Sequence, residues 1–359
     1  MSSKTNNKIR VLILGGSGFI GYHIVHACIK KNYAVSSVDL KPATTLPENV
    51  ASHVLNADSC SDNTLVDILK NYDVVIDTLG ADDRVVPNKP AYPFFRRANV
   101  EHSQRLIRLA KLAGVKNVIM LSSYYCHFSK ELPELKLSEK HPYIKSRLKQ
   151  MDVAIVEAGE DIGLNILQLP FVFGATPGIK PLWYESICAL KYLSYFPMIY
   201  TDGGTNVVSV RTVAAAAAAA VEHSQGRHSF LIGEKNLHWP ALMQSITAFF
   251  GRSPKLIKVA SDSFSYLSHL FQYADYLRGK EAGLNKSYVN ELLTQELFFD
   301  PEIAAQALDY ELDDVDKAIQ ETAQVCEKLL AQKMFLKSNK WFSADRWKRS
   351  FFLNRMVKH

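Results

Sequence analysis

Cysteine is scarce. The chain has five in 359 residues, at Cys28, Cys60, Cys126, Cys188 and Cys326, with no Cys-x-x-Cys pair and no cysteine–histidine cluster. Scattered thiols in odd number speak against a disulfide framework and a zinc site, and they suit a reducing compartment. No apolar run comes near the roughly 20 residues that cross a bilayer. The polar start, MSSKTNNK, lacks the apolar core of a secretory leader. There is no internal repeat. A cytoplasmic protein is the expectation. A dominant charge is also missing from most of the chain. The net charge is +6, but residues 333–359 carry eight basic residues against Asp345 alone, which is +7 and leaves −1 for everything before. Nucleic-acid binding is therefore not expected, since no recognition fold accompanies the charge.

What is present is a globular composition, 47% hydrophobic and 22% charged. The length exceeds what one ordinary core fills, so two domains or one large α/β domain with an added lobe is expected. Residues 9–14, 34–39, 54–55, 73–77, 118–121 and 165–169 read as strands. Residues 22–31, 64–71, 98–113 and 143–158 read as helices between them. Such alternation builds a doubly wound parallel sheet covered on both faces, with ligands at the carboxyl ends of the strands. After Gly174 the pattern loosens and aromatics gather: Trp183, Tyr184, Tyr192, Tyr195, Phe196 and Tyr200. Residues 207–210 and the alanine run 214–220 read as a strand and helix returning to the main sheet. Residues 236–330 read as mainly helical, with Pro301 in the first turn of one helix. The division expected is 1–174 with 207–235 as one domain, 175–206 with 236–330 as a smaller lobe, and 331–359 as a basic aromatic tail.

The most informative stretch is residues 9–21, IRVLILGGSGFIG. An apolar strand enters a glycine turn and a helix follows. A helix N-terminus with unpaired N–H groups and a partial positive charge can hold a pyrophosphate. Gly15 permits the tight turn, Gly18 the close approach of backbone to phosphate, and Gly21 the packing of helix on strand. Ser17, Phe19 and Ile20 belong to the same loop.

Gly15–Gly21, Asp39, Asp58, Asn99, Ser122-Ser123, Tyr143 and residues 169–174 (LPFVFG) fall in the order and spacing of a known group. Over about residues 9–325 the chain resembles the extended short-chain dehydrogenases/reductases of the NAD-dependent epimerase/dehydratase type. The resemblance implies a Rossmann-like α/β fold with a smaller, mainly helical C-terminal lobe. It implies NAD as cofactor, with Asp39 accepting the adenosine ribose hydroxyls and making NADP less suited. Asp58 and Ser59 match the adenine position. Leu79 and Gly80, with Thr78, would pass along the cofactor, as would Pro170 and Val172, and Asn99 would support the site from the start of its helix. Tyr143 and Ser123 match the proton-exchanging and oxygen-polarising residues. The family pattern is Tyr-x-x-x-Lys, whose cation lowers the phenol pKa. Here the fourth position holds Arg147, which keeps the charge but not the compact ammonium. Lys145 projects from another face of the helix.

The substrate is less visible. Phe171 stands where nucleotide-sugar members often have asparagine, and Gln168 replaces a frequent arginine. The aromatics after Gly174 either wall an apolar substrate or fill the lobe's core, and Arg211 is available to an anionic substrate. Three functions stay open: an NAD-dependent oxidoreductase on a secondary alcohol or ketone, a nucleotide-sugar epimerase/dehydratase, and a non-catalytic NAD-binding sensor or assembly module. The resemblance also implies a homodimer through the helices at 98–113 and 143–158. The tail, with Trp341, Phe342, Trp347, Phe351 and Phe352 among its basic residues, either touches an anionic membrane surface peripherally or docks on the protein's own body.

Overall fold

A computed structural model describes residues 8–260, 272–273 and 275–342. The apolar runs of the first half form β1 (Arg10–Leu14), β2 (Ala34–Asp39), β3 (Ala51–Val54), β4 (Val74–Asp77), β5 (Asn117–Ser123) and β6 (Gly163–Leu169). Later come β7 (Phe171–Phe173), β8 (Met198–Tyr200), β9 (Gly204–Ser209) and β10 (Arg227–Leu231). The main sheet has seven strands in the order β10-β6-β5-β4-β1-β2-β3, all paired in parallel.

Both faces of this sheet are buried, and β1 shows why its sequence has no polar alternation. Val11 and Ile13 join one core with the helices Phe19–Lys30 and Val210–Ala219. Leu12 and Leu14 join the opposite core with the helices His102–Leu112 and Pro142–Ala158. The alanine run lies in Val210–Ala219 and its continuation. Ala214 and Ala216–Ala220 are buried, and their small side chains let this helix lie close against Phe19–Lys30.

Two expectations are corrected. The strand that rejoins the main sheet is β10, which pairs with β6. Residues 207–209 belong to β9, in a second sheet with β7, β11 (Lys235–His238) and β13 (Glu296–Leu297), while β12 (Leu256–Lys258) pairs with β8. The helix expected from residue 98 starts earlier. It runs from Tyr92–Phe95 through a π-helical segment, Arg96–Glu101, into His102–Leu112.

The C-terminal region is largely helical, including Trp239–Phe249, Glu302–Leu308 and Val315–Phe342. The last of these continues past residue 331, where the tail was expected to begin, and residues 343–359 lie outside the described residues. The region touches the first half at a defined place. The Tyr143 amide donates to the Gly283 carbonyl at 3.0 Å, and the Asn285 amide donates to His141 Nδ1 at 3.0 Å. Among the described residues no helix is long and apolar enough to cross a membrane.

Candidate active site

β1 and β4 are neighbours in the sheet, and the chain leaves them toward different sides. This switch point opens a crevice at the carboxyl ends of the strands. The loops after β1, β4, β5 and β6 line a cavity of about 280 Å³. Twelve of the residues expected from sequence converge there: Gly15, Gly18, Phe19, Ile20, Gly21, Leu79, Gly80, Ser123, Tyr143, Arg147, Pro170 and Val172. Thr78 joins them, and its hydroxyl ties the loop to β1 by donating to the Leu14 carbonyl at 2.7 Å.

The glycine turn is set by space. Gly15 has a φ of +82°, and a Cβ on Gly21 would lie 2.0 Å from the Gly15 carbonyl oxygen. The helix can therefore begin directly beneath the turn only with glycine at 21. No side chain caps that helix at Gly18, so its first amides are left for an anion.

Ser17, Asp39, Asp58, Ser59 and Asn99 stand outside the cavity lining, each differently placed. Asp39 Oδ1 accepts from the Ser17 amide at 2.8 Å and from its hydroxyl at 2.6 Å, while Oδ2 is buried without a partner. Asp58 accepts from His102, and the Ser59 amide donates to the Asn56 carbonyl at 3.2 Å. Asn99 lies inside the π-helical segment, not at a helix start. Its Oδ1 accepts from the Ala81 amide at 2.8 Å, and its Nδ2 donates to the Ala81 carbonyl at 3.1 Å and to Ser146 at 3.0 Å. It thus pins the loop after β4 from behind.

Tyr143, Ser123 and Arg147 are 5%, 4% and 7% exposed. The Arg147 guanidinium carbon lies 5.4 Å from the centre of the Tyr143 ring. Burial raises the Tyr143 pKa above the ordinary phenol value; the Arg147 charge and a hydrogen bond with Ser123 pull it down, and the nearby Asp83 pushes it up. The net direction is upward, so the phenol rests protonated. Arg147 donates to the Ala81 carbonyl at 3.0 Å, Gln150 Oε1 at 2.9 Å and the Leu121 carbonyl at 3.4 Å, and its Nε is buried without a partner. Lys145 is exposed over the Tyr92 ring and Lys149 is also exposed, so neither replaces it.

The cavity is apolar on one side. Phe171 stacks on Trp183 at 4.5 Å between ring centres, and both line the cavity. The other aromatics of that stretch do not reach it. Tyr184 is buried among lobe residues, Tyr200 lines a separate groove, and Tyr192, Tyr195 and Phe196 are exposed. Gln168 turns away to donate to Ser229 at 2.8 Å. The expected role of Arg211 toward an anionic substrate is also corrected. Arg211 does not line the cavity, and its Nε and Nη1 pair with Asp313 and Glu321, each at 2.7 Å, while its buried Nη2 has no partner among the described residues.

The structure adds residues that the motifs did not indicate. Asp82, Asp83, Arg84, Tyr124 and Tyr125 all line the cavity. The signal for the first three was the charged run Asp82-Asp83-Arg84, which begins two residues after Gly80. His102 is a further addition. Its Nε2 lies 3.1 Å from both oxygens of the buried Asp77, and its Nδ1 contacts Asp58. Burial alone would depress this imidazole, but the carboxylates outweigh it and push it up to about 10.

Among the buried polar atoms without a hydrogen-bond partner, two bear on whether these residues fit NAD. Asp39 Oδ2 is an unpaired acceptor behind the glycine turn, and Arg147 Nε is an unpaired donor on a side chain that lies beside the Tyr143 ring. Buried polar atoms without partners are uncommon, and ribose hydroxyls satisfy both kinds. The residues fit.

Comparison with known proteins agrees. The family model for the NAD dependent epimerase/dehydratase family matches residues 11–233. Human sterol-4-alpha-carboxylate 3-dehydrogenase (decarboxylating) is 29% identical over 118 residues, 33% of this chain and 30% of the relative. The photosystem II assembly factor Ycf39 of Synechocystis is 31% identical over 118 residues, 32% of this chain and 33% of the relative. These matches therefore span about a third of each curated relative. Among solved structures, gox2253 superposes with a TM-score of 0.68 at 19% identity, covering 88% of this chain and 97% of that one. The UDP-glucuronic acid 4-epimerase of Bacillus cereus, solved with UDP-glucuronic acid and NAD, gives 0.62 at 15% identity, covering 89% and 100%. At such identities the structures speak for the fold alone. The chain belongs to the NAD dependent epimerase/dehydratase family.

Proposed function

We propose that the protein is an NAD-linked oxidoreductase acting at a secondary alcohol or ketone of a largely apolar substrate. The observation that carries this is the convergence of Ser123, Tyr143 and Arg147 on the cavity that the glycine turn opens. The first amides of the helix Phe19–Lys30 would hold the pyrophosphate. Asp39 Oδ2 would accept from the adenosine ribose and would repel a 2′-phosphate, which favours NAD over NADP. Asp58 and Ser59 lie toward the adenine end. Arg147 would donate its free Nε to the second ribose. Bound NAD supplies the nicotinamide ring that takes or gives the hydride. Ser123 holds the reacting oxygen by hydrogen bonding, and Tyr143 passes the proton. Its raised pKa favours the donating direction, toward the alcohol. The stacked pair Phe171 and Trp183 offers the substrate an apolar wall. The test is direct. Purified protein with NADH should reduce members of an apolar ketone panel, and Tyr143→Phe should cut this a hundredfold or more with NAD binding unchanged. A panel without turnover by the NADH-bound protein overturns it.

A second reading is a non-catalytic NAD-binding assembly module. Arg147 in place of the family lysine favours it, and one matched relative is named an assembly factor. Tight NAD binding with no turnover would select this reading. Nucleotide-sugar epimerisation loses support from Arg211, and would show as product without net change in NADH.

A further inference from the structure

We propose that Asp83 sets the charge of the substrate, admitting an uncharged alcohol or ketone and turning away one with a carboxylate near the reacting carbon. The proposal rests on the oxidoreductase reading above and sharpens it. Asp83 lines the cavity together with Tyr143, Arg147 and Trp183. Its charge is felt by three phenols of that cavity, Tyr124, Tyr125 and Tyr143, so the carboxylate lies within the reacting compartment.

No base among the described residues forms an ion pair with Asp83, although Arg84 and Arg147 attract it from a distance. Asp82 is taken by Arg84, whose amide and Nε donate to Oδ1 at 2.9 and 3.1 Å and whose Nη2 pairs with Oδ2. Arg84 in turn lies 5.9 Å from the centre of the Trp183 ring. Arg147 directs its Nη atoms at carbonyl and amide oxygens. The Asp83 carboxylate is held only by its own backbone amide among the described residues. Two acids and two bases line the cavity and their formal charges cancel, but Asp83 is the carboxylate that neither base contacts. A neutral ligand keeps that balance and can give Asp83 a hydroxyl hydrogen bond. A ligand carboxylate placed beside Asp83 meets a like charge that no base contacts, and at such short separations like charges repel. Burial, with the Asp82 charge added, pushes the Asp83 pKa up to about 6. At neutral pH it is ionised, and below about 6 the exclusion relaxes.

The experiment uses the full-length protein loaded with NAD and two probes of one shape, 3-methylcyclohexanone and 3-oxocyclohexanecarboxylate. Binding is read by tryptophan fluorescence, since Trp183 lines the cavity. Wild type at pH 7.5 should hold the neutral probe at least about tenfold more tightly. Asp83→Asn should shrink that ratio at least about fivefold by improving the acid alone, and Asp83→Glu should retain it. Between pH 7.5 and 5.5 the wild-type ratio should fall while the Asn variant's stays flat. A ratio unmoved by Asp83→Asn, a preference for the acid, or failure to bind either probe overturns the proposal with the cofactor site intact. Failure to bind NAD overturns the reading beneath it.

Discussion

Arg147 spreads its guanidinium over acceptors on three separate segments: Ala81 after β4, Leu121 in β5 and Gln150 one helical turn on. Gln150 is itself fixed, donating to Ser103 at 2.9 Å. A lysine has one compact donor and cannot reach this set. Restoring the family residue by Arg147→Lys should therefore lower stability by about 1–3 kcal/mol, the cost of stranding buried acceptors, and should not raise turnover. Urea unfolding and NADH oxidation check the two halves. His102 gives a second prediction. Its folded pKa of about 10 exceeds the ordinary 6.5, so its contribution is complete below about pH 6.5 and disappears as pH rises through 10. His102→Ala should cost about 3 kcal/mol at pH 7, and the gap to wild type should close toward pH 10. Tyr143 and Ser123 were legible because their spacing is local to a helix and a strand end. His102 was not, since its partners Asp77 and Asp58 are 25 and 44 residues away in sequence and only the sheet brings them together.

At the scale of elements, the glycine turn and the alanine helix are both arrangements of close approach. Gly21→Ala would place a methyl group 2.0 Å from the Gly15 carbonyl, so the turn must open. NAD binding should be lost in calorimetry while the far-UV circular dichroism persists. Ala217 is fully buried beside the helix Phe19–Lys30. Ala217→Leu should destabilise by about 1–3 kcal/mol through overpacking, seen as a lower thermal midpoint. Most strands of the first half were legible because burial on both faces writes them as unbroken apolar runs. The error at residues 207–210 has the converse cause. Val207 and Val208 are buried, but in the smaller sheet. The edge strand β10 has the sequence RHSFL with its first three residues exposed, and reads from composition as a loop. The π-helical segment likewise leaves no mark in residue type, so the start of its helix was misplaced.

For the whole molecule, charge divides sharply between a near-neutral body and the C-terminal residues. Residues 343–359 hold Arg346, Lys348, Arg349, Arg355 and Lys358 with Trp347, Phe351 and Phe352. Deleting them should reduce sedimentation with anionic vesicles and leave NAD affinity unchanged; equal sedimentation would dispose of a membrane role. A homodimer remains our proposal, through the outer faces of His102–Leu112 and Pro142–Ala158, where Leu112 is 69% and Val156 80% exposed. Light scattering of Val156→Glu against wild type tests it. One contact bears on any attempt to re-engineer the chain. Gly283 comes from the C-terminal region, yet its carbonyl anchors the amide of Tyr143 at 3.0 Å, and a side chain there would strike Phe95 and the tyrosine itself. A chimera that borrows residues 236–330 from a homologue thus also replaces the seat of Tyr143, the proton donor proposed above. Transplants that keep residues 281–285 of this chain should retain the activity proposed above, and those that replace them should lose it before specificity can be read.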